Sequence, residues 1–256
     1  MRITVITIAY NSATTIRKTI ESVISQDYQD VEYIIIDGAS TDETLSIINE
    51  YSSNITHIVS EPDNGISDAF NKGLRIATGN LVVFINSDDQ LLPGALRLVS
   101  EHYHNDQEII ATNLFLEDER TQSHFLLHPS TTFPIMPFFR KVAHQGLYVP
   151  HAIYNEIGGY DTNIRCPMDL DFMIRAYHAG IPVRHVDVTT AIFRLGGLTS
   201  KSMWKKRKDY IYMIRHNGGN TLQAYTFWIF LVACDWSKRI FNLILPNFVY
   251  KIKYRD

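Results

Sequence analysis

The chain has 256 residues, 45% of them hydrophobic, and a formal net charge of −3 at pH 7. That length holds one substantial core, or a core with an appendage. Two cysteines, Cys166 and Cys234, are too few for a disulfide framework or a cysteine-based zinc site, and are expected to be reduced packing residues of a cytoplasmic protein. No secretory leader is expected, because Arg2 runs at once into Ile3-Thr4-Val5-Ile6-Thr7-Ile8, which reads as a strand.

Asn11-Ser12 is turn chemistry, and Ile16, Ile20, Val23 and Ile24 fall on one face of the helix that follows. Val31 to Ile36 is a second strand running into Asp37-Gly38. Ser40 and Glu43 have capping-box spacing, and Leu45, Ile48 and Tyr51 continue a helix. Ile55 to Val59 is a short third strand. Ile66, Ala69, Phe70, Gly73, Leu74 and Ala77 line a helix that stops at Gly79, and Leu81 to Ile85 is a fourth strand. Strands alternating with helices and apolar nearly throughout predict a parallel sheet covered on both faces. Neither a dinucleotide fingerprint nor a P-loop follows the first strand.

Past Glu101 the pattern weakens. Ile109 to Ala111, Leu114 to Leu116 and Phe125 to Leu127 are expected as short antiparallel strands around a polar loop. Ala152 to Gly158 and Leu170 to Ala179 read as helices, and Val183 to Val188 as a strand. Charge then changes sign. Up to Ser200 there are 13 basic against 24 acidic residues, net −11; from Lys201 there are 11 against 3, net +8. Lys201 to Arg215 is expected to be helical. Leu222 to Cys234 is an apolar run of 13 residues, short of the about 20 a membrane span needs. Phe227, Trp228, Phe230, Trp236 and Phe241, with Lys238, Arg239, Lys251, Lys253 and Arg255, fit an amphipathic segment lying at a membrane surface. Packing of these helices on the body or on a second subunit is the competing expectation.

Chemistry concentrates where the fourth strand ends, at Asn86-Ser87-Asp88-Asp89. Adjacent carboxylates repel unless solvated or neutralised by a cation. Oxygen ligands at a strand tip suit Mg²⁺ or Mn²⁺ shared with phosphates, and strand C-termini of open α/β sheets border ligand crevices. A solvated turn ahead of a helix containing Pro93 reads equally well from these residues alone.

Four segments occur in order: Ile6-Thr7-Ile8-Ala9-Tyr10-Asn11, Ile36-Asp37-Gly38-Ala39-Ser40-Thr41-Asp42, Glu61 to Gly73, and Asn86-Ser87-Asp88-Asp89. With them the chain resembles family 2 glycosyltransferases, inverting enzymes of GT-A fold, and within them the bacterial O-antigen, capsule and exopolysaccharide enzymes. The resemblance covers about residues 1–200. It implies an α/β, Rossmann-like, mostly parallel central sheet flanked by helices (1–200). A basic, aromatic helical extension (201–256) would follow.

The resemblance also implies roles. Ala9, Tyr10 and Asn11 would border the base and ribose of the donor, and Asp37 would accept from a base N–H. Asp68 and Asn71 would face the pyrophosphate. Asn86-Ser87-Asp88 stands at the family's Asp-x-Asp motif, with Asn86 in place of its first acid. Asp88 would hold the metal and Asn86 the ribose or a metal-bound water. Asp169, in Met168-Asp169-Leu170-Asp171, matches the catalytic base; an N-cap is its structural alternative. His144-Gln145-Gly146 and Gly158-Gly159-Tyr160-Asp161 resemble segments around the acceptor cleft, where His144 would help hold donor or acceptor; a structural role is the commoner one for a lone histidine. Arg194, at the start of a glycine-containing loop running to Ser200, would lie near the diphosphate.

The implied reaction moves a sugar from a nucleotide-diphosphate sugar, a UDP-sugar first, to a saccharide or lipid-linked acceptor. It uses Mn²⁺ or Mg²⁺ at the inner face of a cell membrane and no nucleic acid. Oligomeric state is left open. A nucleotidyltransferase would need a basic, glycine-rich loop after the first strand, which Asn11-Ser12-Ala13-Thr14-Thr15 is not. A non-catalytic sugar-nucleotide-binding protein would not need Asp88 and Asp169.

Overall fold

The computed structural model describes residues 1–118, 123–129, 143–195 and 203–244. The first half alternates as expected: β1 (Ile3–Ala9), α1 (Ile16–Ile24), β2 (Val31–Asp37), α2 (Thr44–Glu50), β3 (His57–Ser60), α3 (Ile66–Ile76) and β4 (Leu81–Phe84). There follow β5 (Gln90–Leu91), α4 (Ala95–Glu101), β6 (Ile109–Asp118), β7 (Ser123–Leu127), β8 (Leu147–Pro150), α5 (His151–Ile157), α6 (Met168–His178) and β9 (Val183–Arg194). Helices α7 (Arg207–His216) and α8 (Thr221–Ile244) complete the described chain.

The sheet runs β3-β2-β1-β4-β8-β6-β9-β5, with β7 also on β6. From β3 to β4 every pairing is parallel, with Ala9 opposite Asp37 and Ile6 opposite Phe84. The C-terminal ends of β1, β2 and β4 therefore emerge together, which is the geometry that makes a ligand crevice. Beyond β4 the sheet is mixed: β8 is antiparallel to both β4 and β6, β7 is antiparallel to β6, and β9 is parallel to β6.

Alternation along each strand sorts side chains into two cores. Ile6, Ile8, Ile34, Ile36 and Phe84 pack with Phe70 and Leu74 of α3 and with Phe172 of α6. Ile3, Val5, Ile35, Val83 and Ile85 pack with α1, α2 and α4. Fully burying one such side chain contributes about 1.5–3 kcal/mol. Helix α3 lies close on β1 because Gly73 lacks a side chain; a Cβ there would sit 2.5 Å from Ile6 Cγ2.

Three expectations differ in detail. The capping box does not form: Ser40 hydrogen-bonds Asp37 and Asn11, while Asp42 Oδ1 accepts the Thr44 N–H at 3.0 Å. Ile109 to Leu116 is one continuous strand, because its buried side chains serve both β7 and β9. Strand β9 runs on through polar Thr189-Thr190 to Arg194. Helix α8 carries the apolar run from Leu222 to Cys234 and ends at Ile244. Among the described residues no helix is long and apolar enough to cross a membrane.

The end of the sheet opposite the crevice is tied by Glu32 of β2. Its buried carboxylate accepts from Thr4 Oγ1 at 2.6 Å, Thr78 N at 2.7 Å and Thr78 Oγ1 at 2.6 Å. Burial pushes the Glu32 pKa up, but the bonds from Thr4, Thr78 and Gly79 outweigh it and hold the group below the ordinary 4.5. A depressed folded pKa contributes stability above the ordinary value, and that contribution fades as pH falls through the folded one. Urea unfolding between about pH 5 and pH 3 should therefore show a stability loss that Glu32→Gln makes shallower; an unchanged slope in the variant contradicts this.

Candidate active site

The turn after β4 continues the pairing with β1, since Ile85 N donates to Ile6 O at 3.0 Å and Ser87 N to Ile8 O at 3.2 Å. Asp89 N then closes a tight turn onto Asn86 O at 3.0 Å. Helix α1 supports it from behind, with Thr19 Oγ1 donating to Asp89 O at 2.7 Å. Ser87 is buried and its hydroxyl meets Ser12 Oγ at 2.7 Å, so it locks the turn to the loop after β1. Asp88 is partly exposed between two buried neighbours.

Asp89, expected as the second of two adjacent carboxylates at the strand tip, is 0% exposed. Its carboxylate accepts from Gln145 Nε2 at 2.6 Å and from the Arg194 backbone N–H at 3.0 Å. Burial first, then the charge of Asp88, pushes its pKa up to about 7; the Gln145 bond and the His144 charge oppose the rise.

The residue before Gln145 reaches the other acid. His144 and Gln145 belong to a single 3₁₀ turn, His144–Gly146, just ahead of β8. His144 Nδ1 is 2.9 Å from Asp169 Oδ2. Asp169 lies in the first turn of α6, whose positive dipole end favours a carboxylate. It is not the N-cap: Pro167 holds that place and no side chain caps the helix. Burial lowers the His144 pKa, but the charge and hydrogen bond of Asp169, then Asp89 and Asp88, outweigh it and the net shift is upward. One short turn therefore holds Asp89 and Asp169, and all three acids act on one imidazole.

Among the described residues, Asn86 Oδ1, His144 Nε2, Gln145 Oε1 and Asp169 Oδ1 are buried side-chain atoms with no hydrogen-bond partner. Each such atom costs about 1–3 kcal/mol when left unsatisfied. Four of them on the strand tip, the His144–Gly146 turn and α6 mark a concentration of unsatisfied polar groups, which is a feature of functional sites.

The other expected residues are placed as follows. Ala9 is buried at the end of β1, and Tyr10 is 63% exposed at the mouth. Asn11, at φ 49°, accepts the Thr41 N–H at 2.9 Å through Oδ1 and donates its own N–H to Ser40 Oγ at 2.9 Å. Asp37 is fully buried and accepts from Ser40 N at 3.1 Å, Ser60 Oγ at 2.6 Å and the Ser40 hydroxyl; a base reaching it would share or displace one of these donors. Gly38 lets Asp63 approach, since a Cβ would stand 2.4 Å from Asp63 Oδ2 and would displace that carboxylate. Asp68 Oδ2 accepts the Asn64 N–H at 3.0 Å, at the start of α3.

Asn71 differs from expectation. Its Nδ2 donates to Tyr160 O at 2.7 Å and its Oδ1 accepts from Tyr160 N at 2.8 Å. Both polar atoms clamp the Gly159-Tyr160 segment to α3 rather than facing a pyrophosphate. The Arg194 guanidinium pairs with Glu117 at 3.3 Å, and its backbone N–H serves Asp89. The glycines at 196 and 197 lie outside the described residues.

Residues 4–158 match the family described as glycosyl transferase family 2. A PGL/p-HBAD biosynthesis glycosyltransferase of Mycobacterium tuberculosis is 28% identical over 200 residues, 74% of this chain and 76% of that protein. The chondroitin synthase of Escherichia coli is 26% identical over 188 residues, 70% of this chain but 27% of that protein. Among solved structures, S. aureus TarS 1-349 in complex with UDP-GlcNAc has a TM-score of 0.66 at 18% identity, covering 84% of this chain and 66% of that one. The mannosyltransferase PcManGT from Pyrobaculum calidifontis, in complex with GDP-Man and Mn²⁺, has a TM-score of 0.62 at 17% identity, covering 89% and 69%. At these identities the likeness is one of fold.

Two acids of α6 provide an internal contrast. Asp171 is fully buried and accepts from Arg175 Nε at 2.9 Å and Asn217 Nδ2 at 2.8 Å, whereas Asp169 keeps a buried oxygen unpartnered. Asp171→Ala should cost about 3–5 kcal/mol by breaking a buried ion pair. Asp169→Asn should leave stability near native or raise it, as at sites held for function. Chemical denaturation of both variants checks the contrast.

Proposed function

The chain belongs to glycosyl transferase family 2 and has the GT-A fold, and from that premise we propose an inverting transfer from a nucleotide-diphosphate sugar. The acceptor is a saccharide or lipid-linked saccharide of surface polysaccharide, of the O-antigen or lipopolysaccharide kind. The observation that carries the reading is the His144–Gln145 turn, which gathers Asp89 and Asp169 at the tips of the parallel strands. A UDP-sugar is the first donor to try, since one neighbour in fold was solved with UDP-GlcNAc; GDP-sugars follow, since another was solved with GDP-Man.

Asp169 accepts the proton of the acceptor hydroxyl. That oxygen attacks the anomeric carbon, the bond from that carbon to the diphosphate oxygen breaks, and its electron pair leaves with the nucleoside diphosphate. Attack opposite the leaving group inverts the configuration. His144 holds the Asp169 carboxylate in place. Loops at Tyr10, Asn11 and Asp37 border the base and ribose, and Asp68 and Arg194 lie toward the phosphates.

The donor set suits Mn²⁺ or Mg²⁺: Asp88 is partly exposed two residues from Asn86, whose amide oxygen is buried with no partner among the described residues. Asp88 and Asn86 would hold such an ion, which neutralises the charge of a leaving diphosphate when bound. Asn86 in place of an acid leaves that set with one charge fewer.

The helical extension supports placement at the inner membrane surface. Leu222, Tyr225, Ile229 and Trp236 are exposed at helical spacing on α8, opposite the face that Ala224 and Phe227 bury in the core. A groove between α7 and α8 is lined by Arg207, Lys208, Arg215, His216 and Tyr225 and shares no residue with the cleft. Apolar stripes bordered by basic side chains fit an anionic bilayer surface, at about 1 kcal/mol for each basic group.

Release of nucleoside diphosphate from a panel of UDP- and GDP-sugars, with Mn²⁺ or Mg²⁺ and a lipid-linked acceptor, tests the transfer. Asp169→Asn should lower it by about 10²–10⁴-fold while donor binding persists. Asp88→Ala should abolish any divalent dependence. An Asp169→Asn chain with native turnover overturns the assignment of the base. For the surface, sedimentation with phosphatidylglycerol vesicles should fall with added salt and fall further for the Ile229→Ser/Trp236→Ser variant; equal binding to neutral vesicles would contradict it.

A further inference from the structure

A second constellation lies outside the cleft. Asn113 is on β6, between β7 and β9. It is 2% exposed, although its side chain is polar. Among the described residues its side chain bonds three ligand-type residues. Asn113 Nδ2 is 2.8 Å from Asp187 Oδ1, and its Oδ1 is 3.0 Å from His128 Nδ1 and 2.8 Å from His185 Nε2.

The chemistry fixes every orientation in this group. A carboxylate accepts only, so the amide nitrogen faces Asp187 and the amide oxygen faces the two rings. Each ring must then donate an N–H to that oxygen. The remaining nitrogens, Nε2 of His128 and Nδ1 of His185, are left with lone pairs. The pairing of β6 with β9 breaks register here: Thr112 is opposite Val186 while Asn113 is opposite Thr189. Asp187 therefore falls in an irregular stretch of β9, and such irregularities re-aim side chains. His128, His185 and Asp187 are exposed, and one ligand atom of each lies within 4.8 Å of the others.

We propose that His128, His185 and Asp187 form a divalent transition-metal site, distinct from the strand tips, with Asn113 as its buried organiser. Two imidazoles and a carboxylate suit Zn²⁺ and its neighbours rather than Mg²⁺. Binding would draw a nitrogen of each ring and an Asp187 oxygen to about 2 Å from the ion, an adjustment that falls on exposed side chains. A ligating histidine ordinarily donates its second N–H to an oxygen that sets its tautomer, and Asn113 Oδ1 provides that oxygen twice. The ion would join the residue after β7 to β9 across β6. The proposal does not depend on the transferase reading.

The test uses the full chain without an affinity tag, stripped by a chelator. Zn²⁺ is titrated by calorimetry and Co²⁺ by its visible absorption. The native chain should bind one ion saturably at this site, and Zn²⁺ should raise its melting temperature. Asn113→Ala should weaken binding by about 10- to 100-fold. His128→Ala/His185→Ala should abolish the binding and the melting shift; both residues are exposed, so the fold is not at stake. The same titration in Asp88→Asn separates this site from the strand tips and should retain the bound ion. No saturable binding by the native chain overturns the proposal. So does an undiminished Co²⁺ spectrum and melting shift in the double histidine variant, or loss of the bound ion only in Asp88→Asn.

Discussion

Two hydrogen bonds from neighbouring residues hold the chemistry together. His144 meets Asp169 and Gln145 meets Asp89, so a three-residue turn assembles acids from distant parts of the sequence. Left alone, three carboxylates in a partly buried cleft repel one another, and burial penalises each charge further. The turn offsets this with an imidazole pushed toward its charged form by those same acids. Asp89 shows what remains of the conflict, because its pKa stays well above the ordinary carboxylate range despite two donors.

The parallel half of the sheet explains why this conflict can be sustained. Strands β1, β2 and β4 are buried almost throughout; β1 and β2 end in register, and the chain after β4 stays bonded to β1 as far as Ser87. Their rigidity presents the loops at Asn11, Gly38 and Asn86 as one rim. Small side-chain bonds then stitch the rim: Asn11 to Thr41, Ser12 to Ser87, Ser40 to Asp37. A cleft of unpaired polar atoms needs such a frame, since without it the orphaned groups would turn to bond one another.

Much of the frame was legible in the sequence because apolar period and strand-helix alternation are local signals. The strands from Ile3 to Ile85, the helix at Ile66 and the carboxylate tip at Asp88-Asp89 are examples. What escaped depends on partners far away. Which acid of Asp88-Asp89 is buried is decided by Gln145 and by the backbone of Arg194. Asn71 looked like a ligand residue on the first turns of a helix, yet Tyr160 claims both of its polar atoms. Ser40 had capping-box spacing, but Asp37 competes for its hydroxyl more closely than the helix does. For His144 the sequence leaves open a donor- or acceptor-holding role and a structural one, because nothing local ties it to Asp169. The irregularity at Asp187 interrupts strand periodicity, which is why β9 seemed to end at Val188.

The C-terminal helices bear on the cleft as well as on any surface they meet. Asp209 of α7 accepts the backbone N–H of Arg165 at 3.2 Å and of Cys166 at 3.1 Å, just ahead of α6. Asn217, at the end of α7, reaches Asp171. Met213, Ile214, Ala224 and Phe227 share the core that holds Phe172 and Phe84. The N-terminal turn of α6, and with it Asp169, is therefore set from two sides: His144 fixes the carboxylate and α7 fixes the backbone that carries it. A change in how α7 and α8 are seated, whether by a lipid surface or by mutation, would move the base relative to Asp88 while leaving the strand tips where they are.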